Sequence, residues 1–205
     1  MCFIILAEAM EHWLACAVER IDGGDQHAAG RSLLRRLLTA EGWSGDPAIE
    51  PDADGKPHLA GHGAPAISIA HSADTAAVAV CHVGPVGIDI EVHHSTRNWM
   101  GIAETYFGPR ERALVAAQGV RAFYRIWSLR EAIGKATGEG LLADQKDRVG
   151  DAASPSQGAW ISEDRQWLLA HLEPHPELSL ALAIRPRRDV DLRAWSLDAL
   201  RWPLA

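Results

Sequence analysis

Between Ala66 and Val92 the chain makes three β-rich runs in quick succession, and no other stretch constrains the fold as much. Ala66–His71 and Thr75–Val83 are separated only by Ser72, Ala73 and Asp74, a spacing that predicts a hairpin. After the break at Gly84 and Pro85, Val86–Val92 predicts a third strand. Helical signals flank this β-rich core. Upstream, Leu33, Leu34, Leu37 and Leu38 recur at helical spacing between Arg31, Arg35 and Arg36, and a weaker pattern predicts a helix over 8–20. Downstream, helices are expected over Asn98–Phe107, over Pro109–Ala117 with proline at a first helical position, and over Ala122–Thr137, stopped by Gly138 and Gly140. Residues 42–65 carry a Gly/Pro/Asp/His loop signature, and 147–158 are polar and patternless. Alternation around Trp160, Trp167–Leu172 and Leu178–Ile184 predicts terminal antiparallel strands.

At 205 residues, 47% hydrophobic and 23% charged, the composition is globular and excludes disorder as the main state. A formal charge of −7 repels polyanions and points away from nucleic acid. The apolar stretch Cys2–Ala7 ends at Glu8 and is too short for a signal or a membrane span, so a cytoplasmic location is expected; the chain is separately expected to be a monomer. Cys2, Cys16 and Cys81 fit reduced thiols, with neither a disulfide framework nor structural zinc.

The third strand carries the first chemical signal. In Gly87-Ile88-Asp89-Ile90-Glu91-Val92, strict alternation puts both carboxylates on one face, roughly 7 Å apart along the strand. Two converging carboxylates suit Mg²⁺, although a half-buried strand with a solvated acidic face has the same pattern. On the last helix Trp127, Glu131 and Lys135 share a face at i, i+4 and i+8, which equally describes routine Glu–Lys helix support. Gly55-Lys56-Pro57 places a cation in the loop, and Ser68-Ile69-Ala70-His71-Ser72 places an imidazole and two hydroxyls near the hairpin turn. Lys56 and a protonated His71 are candidate phosphate donors, while alternation with Ile67 and Ile69 also permits a core histidine. Asp52-x-Asp54-Gly55 fails as a calcium loop, since its glycine comes too early and Gly63 stands where a glutamate is needed. Neither a phosphate-binding P-loop nor a GxSxG elbow is present, and His93-His94 lacks a suitable metal partner.

In this order, Gly-Lys-Pro, Ser-Ile-Ala-His-Ser, Val-Gly-Ile-Asp-Ile-Glu-Val, Tyr-Phe-Gly-Pro-Arg-Glu and Trp-Ser-Leu-Arg-Glu-Ala-Ile-Gly-Lys-Ala-Thr-Gly-Glu-Gly-Leu, the chain resembles a phosphopantetheinyl transferase of the surfactin-synthetase-activating type. The resemblance implies an α+β fold of two pseudo-symmetric halves, 1–85 and 86–205, with the active site in the cleft between them. It implies transfer of the 4′-phosphopantetheine arm from coenzyme A to a serine of an apo acyl or peptidyl carrier protein, releasing 3′,5′-ADP. Polyketide, nonribosomal-peptide and fatty-acid synthesis are the settings it implies. By position, Asp89, Glu91 and Glu131 match the magnesium ligands or acid/base residues, and Asp89, Glu131 and Lys135 the catalytic group. Lys135 and His71 match pyrophosphate contacts, Lys56 and Arg31 contacts to the nucleotide end, and Ser72 joins the coenzyme A contacts. Such a site must neutralise the pyrophosphate before an alcohol can attack phosphorus, and a metal with several cations does this.

The chain departs from the family in having Arg130 where lysine is usual, which exchanges a point charge for a planar fork. Ala70 lacks a hydroxyl expected to face phosphate, and the N-terminal basic run is sparse. A magnesium-dependent phosphohydrolase of coenzyme A or a small nucleotide, and a non-catalytic coenzyme A- or carrier-binding protein, are the competing functions. Arg110, Arg112, Arg121 and Arg125 are expected to form the basic patch that docks an acidic carrier.

Overall fold

The computed structural model describes residues 2–6, 14–21, 23–43, 47–53, 55–94, 96–140, 149 and 157–187. It is an α+β fold with two four-stranded antiparallel sheets. The first holds β1 (Cys2–Leu6), β2 (Leu14–Arg20), β5 (Ala66–Ser72) and β6 (Thr75–Cys81) in the order β1-β2-β6-β5. The second holds β7 (Val86–Val92), β8 (Gly158–Ile161), β9 (Leu168–His175) and β10 (Leu178–Ile184) in the order β7-β10-β9-β8. β2, the helix α1 (Gln26–Ala40) and the β5–β6 hairpin repeat in the second sheet as β7, the helix α4 (Val120–Thr137) and the β9–β10 hairpin. In each repeat the returning hairpin strand pairs with the leading strand.

The predicted helix over 8–20 is a strand wherever those residues are described. Ala15 and Ala17 pack under α1, while Leu14, Cys16 and Val18 face the other sheet. A strand buried on both faces reads as a continuous apolar run, and periodicity cannot distinguish it from a helix. The loop expected over 42–65 contains a small hairpin of β3 (Ile49–Pro51) and β4 (Pro57–Leu59). Proline at the end of one strand and the start of the other disguised it.

The remaining helices follow their signals. Asp25 caps α1 by accepting from the His27 amide, and Leu33, Leu34, Leu37 and Leu38 are buried as spaced. Asn98 caps α2 (Trp99–Tyr106), Pro109 opens α3 (Pro109–Gln118), and Gly138 closes α4 in the left-handed conformation at φ 82°. The polar stretch 147–158 lies largely outside the described residues, as do Leu141 and Leu142. No described helix is long and apolar enough to cross a membrane.

β5 and β7 lie side by side where the two sheets meet. Ser68 Oγ accepts from the Ile88 amide at 3.0 Å and Ser72 Oγ from the Val92 amide at 3.1 Å, so serine hydroxyls join the sheets. One apolar core fills the space between the sheets, with Leu14 and Cys16 from one and Ile88, Ile90, Leu180 and Leu182 from the other. On its opposite face β7 presses against α4 so closely that a Cβ on Gly87 would collide with the Ala132 carbonyl. Glycine there lets the strand carboxylates approach the helix.

Candidate active site

The alternation of β7 sends Ile88 and Ile90 into the inter-sheet core and turns Asp89 and Glu91 toward α4. From α4, Lys135 Nζ donates to Asp89 Oδ1 at 2.7 Å and Trp127 Nε1 donates to Glu91 Oε1 at 2.9 Å. The i, i+4, i+8 face therefore serves the strand. Asp89 and Glu91 thus face α4, while Trp127 is also buried in the core and the Lys135 charge still acts on Glu131, as helical spacing expects.

Asp89 is only 5% exposed, and its Oδ2 is buried with no hydrogen-bond partner. Burial pushes its carboxyl up to about 7 despite the opposing charge of Lys135, with Glu91 and Glu131 raising it further. Glu131 is also held above the usual carboxylate range, by burial first, against the pull of Lys135. Glu91 is held from several sides: besides Trp127, Arg97 Nη1 and Ser72 Oγ each lie 3.4 Å from its Oε2. The Arg97 guanidinium lies 5.1 Å from the centroid of the Trp127 ring and within 6 Å of those of Phe123 and Tyr124.

As the side chains stand, Asp89 and Glu91 take different partners, Lys135 for the one and Trp127 with Arg97 for the other. Among the described residues, no three His, Cys, Asp or Glu side chains are gathered into a ready metal cage. The donor set still suits a hard cation, since the charges of Glu91 and Glu131 both raise the proton affinity of Asp89 and one buried Asp89 oxygen lacks a partner.

Around this centre lie other expected contacts. Lys56, Gly55, Pro57, Ser68, Glu131 and Lys135 are among the walls of a cleft of about 270 Å³. Lys56 Nζ donates to the Ala136 carbonyl at 2.8 Å, closing the end of α4, and burial lowers its pKa. His71 is half-buried and meets His27 edge-on, with ring centroids 4.7 Å apart. Burial first, then the nearby charges of His27 and Lys135, hold its pKa below the usual histidine value. Ser72, expected among the coenzyme contacts, bridges the Val92 amide and Glu91. Arg31 is exposed on α1, one turn beyond His27 and outside the walls of this cleft.

Three further expectations need correction. Arg130 points away from the site: it is fully buried and pairs with Glu111 at 3.1 Å, over the Phe107 ring. Ala70 is 3% exposed and shares the β7-facing side of β5 with Ser68 and Ser72, so its missing hydroxyl belongs to the inter-sheet joint. Of the proposed basic patch, Arg110, Arg112 and Arg121 are exposed, Arg121 also pairing with Glu173, whereas Arg125 is buried and bonded to Gln118. Arg97 was missed because it lies outside every motif, in the turn before Asn98.

The second sheet and α4, which carry Asp89, Glu91, Glu131 and Lys135, fall within residues 85–184, the stretch that matches the 4′-phosphopantetheinyl transferase superfamily. The chain is 30% identical over 170 residues to the 4′-phosphopantetheinyl transferase HetI of Nostoc sp. (strain PCC 7120), spanning 76% of this chain and 69% of that protein. It is 39% identical over 115 residues to the 4′-phosphopantetheinyl transferase AcpT of Salmonella typhimurium, covering 54% of this chain and 57% of the relative. AcpT of Escherichia coli (strain K12) is 36% identical over 114 residues, or 56% of its length. The chain belongs to the 4′-phosphopantetheinyl transferase superfamily. It is an enzyme of the transferase class, and the group it transfers is phosphopantetheine.

Proposed function

We propose that this enzyme moves 4′-phosphopantetheine from coenzyme A to a serine hydroxyl of an acyl or peptidyl carrier protein, in a magnesium-dependent reaction of the surfactin-synthetase-activating type. The observation that carries the reading is the buried, partnerless Asp89 Oδ2 beside Glu131 and Lys135 at the cleft wall. Asp89, Glu91 and Glu131 are the residues that would hold magnesium. When bound, the ion supplies charge neutralisation at the pyrophosphate. Lys135 and His71 bind the pyrophosphate oxygens, and Lys56 and Arg31 the nucleotide end. Ser72 keeps Glu91 in place.

Glu131, half-buried and with a raised pKa, accepts the serine proton as that oxygen attacks the β-phosphorus of coenzyme A. The new bond is serine oxygen to phosphorus. The bond that breaks joins that phosphorus to the bridging oxygen, which leaves with 3′,5′-ADP. Residues 1–85 and 86–205 form the two halves, and the seam between β5 and β7 runs beside the reacting groups. The free, buried Cys16 and Cys81 suit a reducing compartment, and we place the enzyme in the cytoplasm as a monomer.

Incubation with coenzyme A, Mg²⁺ and a panel of apo carrier proteins, read by intact mass, tests this. The expected result is a carrier that gains the phosphopantetheine mass and loses the gain when its serine is replaced. Free hydrolysis products without carrier modification would assign a phosphohydrolase instead.

A further inference from the structure

The bond between Lys135 and Asp89 conflicts with the role the transferase reading gives each residue. Asp89 is needed by the metal and Lys135 by the diphosphate, yet at 2.7 Å the ammonium occupies Asp89 Oδ1 and its charge opposes a second cation at the partnerless Oδ2. The two cations beside the strand carboxylates differ in freedom. Arg97 is fixed on Glu91 by its position over three aromatic rings. Lys135 has a 32% exposed, unbranched side chain on the last turn of α4, while its partner is only 7% exposed. An ammonium on a four-carbon stem can turn from a buried carboxylate to a ligand in the adjoining cleft without moving the helix. Lys135 already lines that cleft, and its charge is felt at His71.

We propose that Lys135 is an exchangeable counter-ion: it neutralises Asp89 before substrates arrive and passes to the diphosphate of coenzyme A, freeing Asp89 for the metal. The inference rests on the transferase reading of these residues. It carries a thermodynamic consequence. Coenzyme A draws Lys135 off Asp89 and so strengthens metal binding, and by reciprocity the metal strengthens coenzyme A binding. Without its charge, the metal loses a competitor at Asp89 and the diphosphate loses a donor, so one substitution moves the two affinities in opposite directions. A proton could occupy Asp89 in place of the lysine, but a divalent ion carries twice its charge and gains more from the loss.

Titration calorimetry of the whole protein with Mn²⁺ alone, coenzyme A alone and Mn²⁺ in saturating coenzyme A tests the exchange in wild type, Lys135→Met and Lys135→Gln. Lys135→Met is expected to bind Mn²⁺ alone about tenfold more tightly and coenzyme A alone about tenfold more weakly. The gain in Mn²⁺ affinity caused by coenzyme A should shrink from wild type to variant, leaving only the part due to direct metal–diphosphate contact. Lys135→Gln keeps a donor to Asp89, guards against misfolding, and should shift both affinities the same way by less. Unchanged or weaker Mn²⁺ binding in both variants overturns the proposal. So does tighter Mn²⁺ binding with unchanged coenzyme A affinity, since Lys135 would then have nowhere to pass. Failure of the transferase reading would show separately, as a wild-type enzyme that leaves every carrier unmodified.

Discussion

Replacing Arg130 by methionine removes one partner of an ion pair whose side chains are 1% and 0% exposed, and leaves Glu111 charged in the interior. At the observed 3.1 Å the gross attraction is about 5 kcal/mol for an effective dielectric of about 20. Desolvation offsets much of this in the intact pair, but a stranded partner retains its burial cost, so breaking such a pair costs about 3–5 kcal/mol. Glu111 Oε2 also accepts from the Gly108 amide at 2.9 Å, which anchors the start of α3 and places Arg130 Nη1 and that amide on the same oxygen. The expected loss for Arg130→Met is therefore toward the top of that range, read from urea unfolding followed by far-UV circular dichroism with the slope unchanged. Arg130→Lys keeps the charge but not the planar fork over Phe107, and should cost about 1–2 kcal/mol. Combining Glu111→Leu with Arg130→Met removes both charges and should recover most of the loss. A single-variant cost below about 1 kcal/mol would refute the argument, because no buried charge is that cheap to strand. A double variant no better than the sum of its parts would refute it equally.

Glu131→Gln should lower turnover by about 10²-fold or more with Mn²⁺ still binding, the scale of a lost general base; near-normal turnover at saturating metal would make Glu131 a ligand only. Ala70→Ser should add a hydroxyl facing the Ile90 amide and stabilise by about 0.5–1 kcal/mol, read by thermal melting; a rise in coenzyme A affinity instead would return that position to the ligand side. His93, stacked on Tyr124 and bonded to Ser179, has its pKa lowered to about 4, by burial first and then by Arg121. The unfolded chain, near 6.5, then binds the proton more readily, so this contribution to stability is full above about 6.5 and lost as pH falls toward about 4. Asp89, raised to about 7, acts with the opposite sign over the same window, so the measured quantity is the pH profile of wild type minus that of His93→Gln. Solvent screening of the half-exposed ring limits the expected difference to about 1 kcal/mol, and parallel profiles would show that His93 is not held neutral.

The parts of the fold legible in the sequence are those where one face is buried and the other is not. α1 shows its leucine stripe because Arg31, Arg35 and Arg36 lie on its open side. β7 shows its alternation because Ile88 and Ile90 enter the core while Asp89 and Glu91 turn to α4. β2 has apolar neighbours on both faces, so its pattern carries no period and was mistaken for a helix. The β3–β4 hairpin is brief, and its Pro51–Pro57 pair matches the composition of a loop.

The site divides along the same physical line. Residue type and spacing singled out Asp89, Glu91, Glu131 and Lys135 as candidates, and β7 and α4 lie face to face with Lys135 bonded to Asp89. Spacing could not tell which partner each would take. A carboxylate on a strand has the same sequence signature whether it faces a metal, a lysine or an indole, and only the approach of α4 to Gly87 decides that Lys135 reaches Asp89 and Trp127 reaches Glu91. Arg130 and Arg97 show the converse. Arg130 sits inside the strongest motif yet serves the core, whereas Arg97 sits in no motif yet holds Glu91. Adjacent positions on a helix point about 100° apart, so Arg130 and Glu131 face different neighbours, and the charge kept at Arg130 is retained for α3 rather than for phosphate.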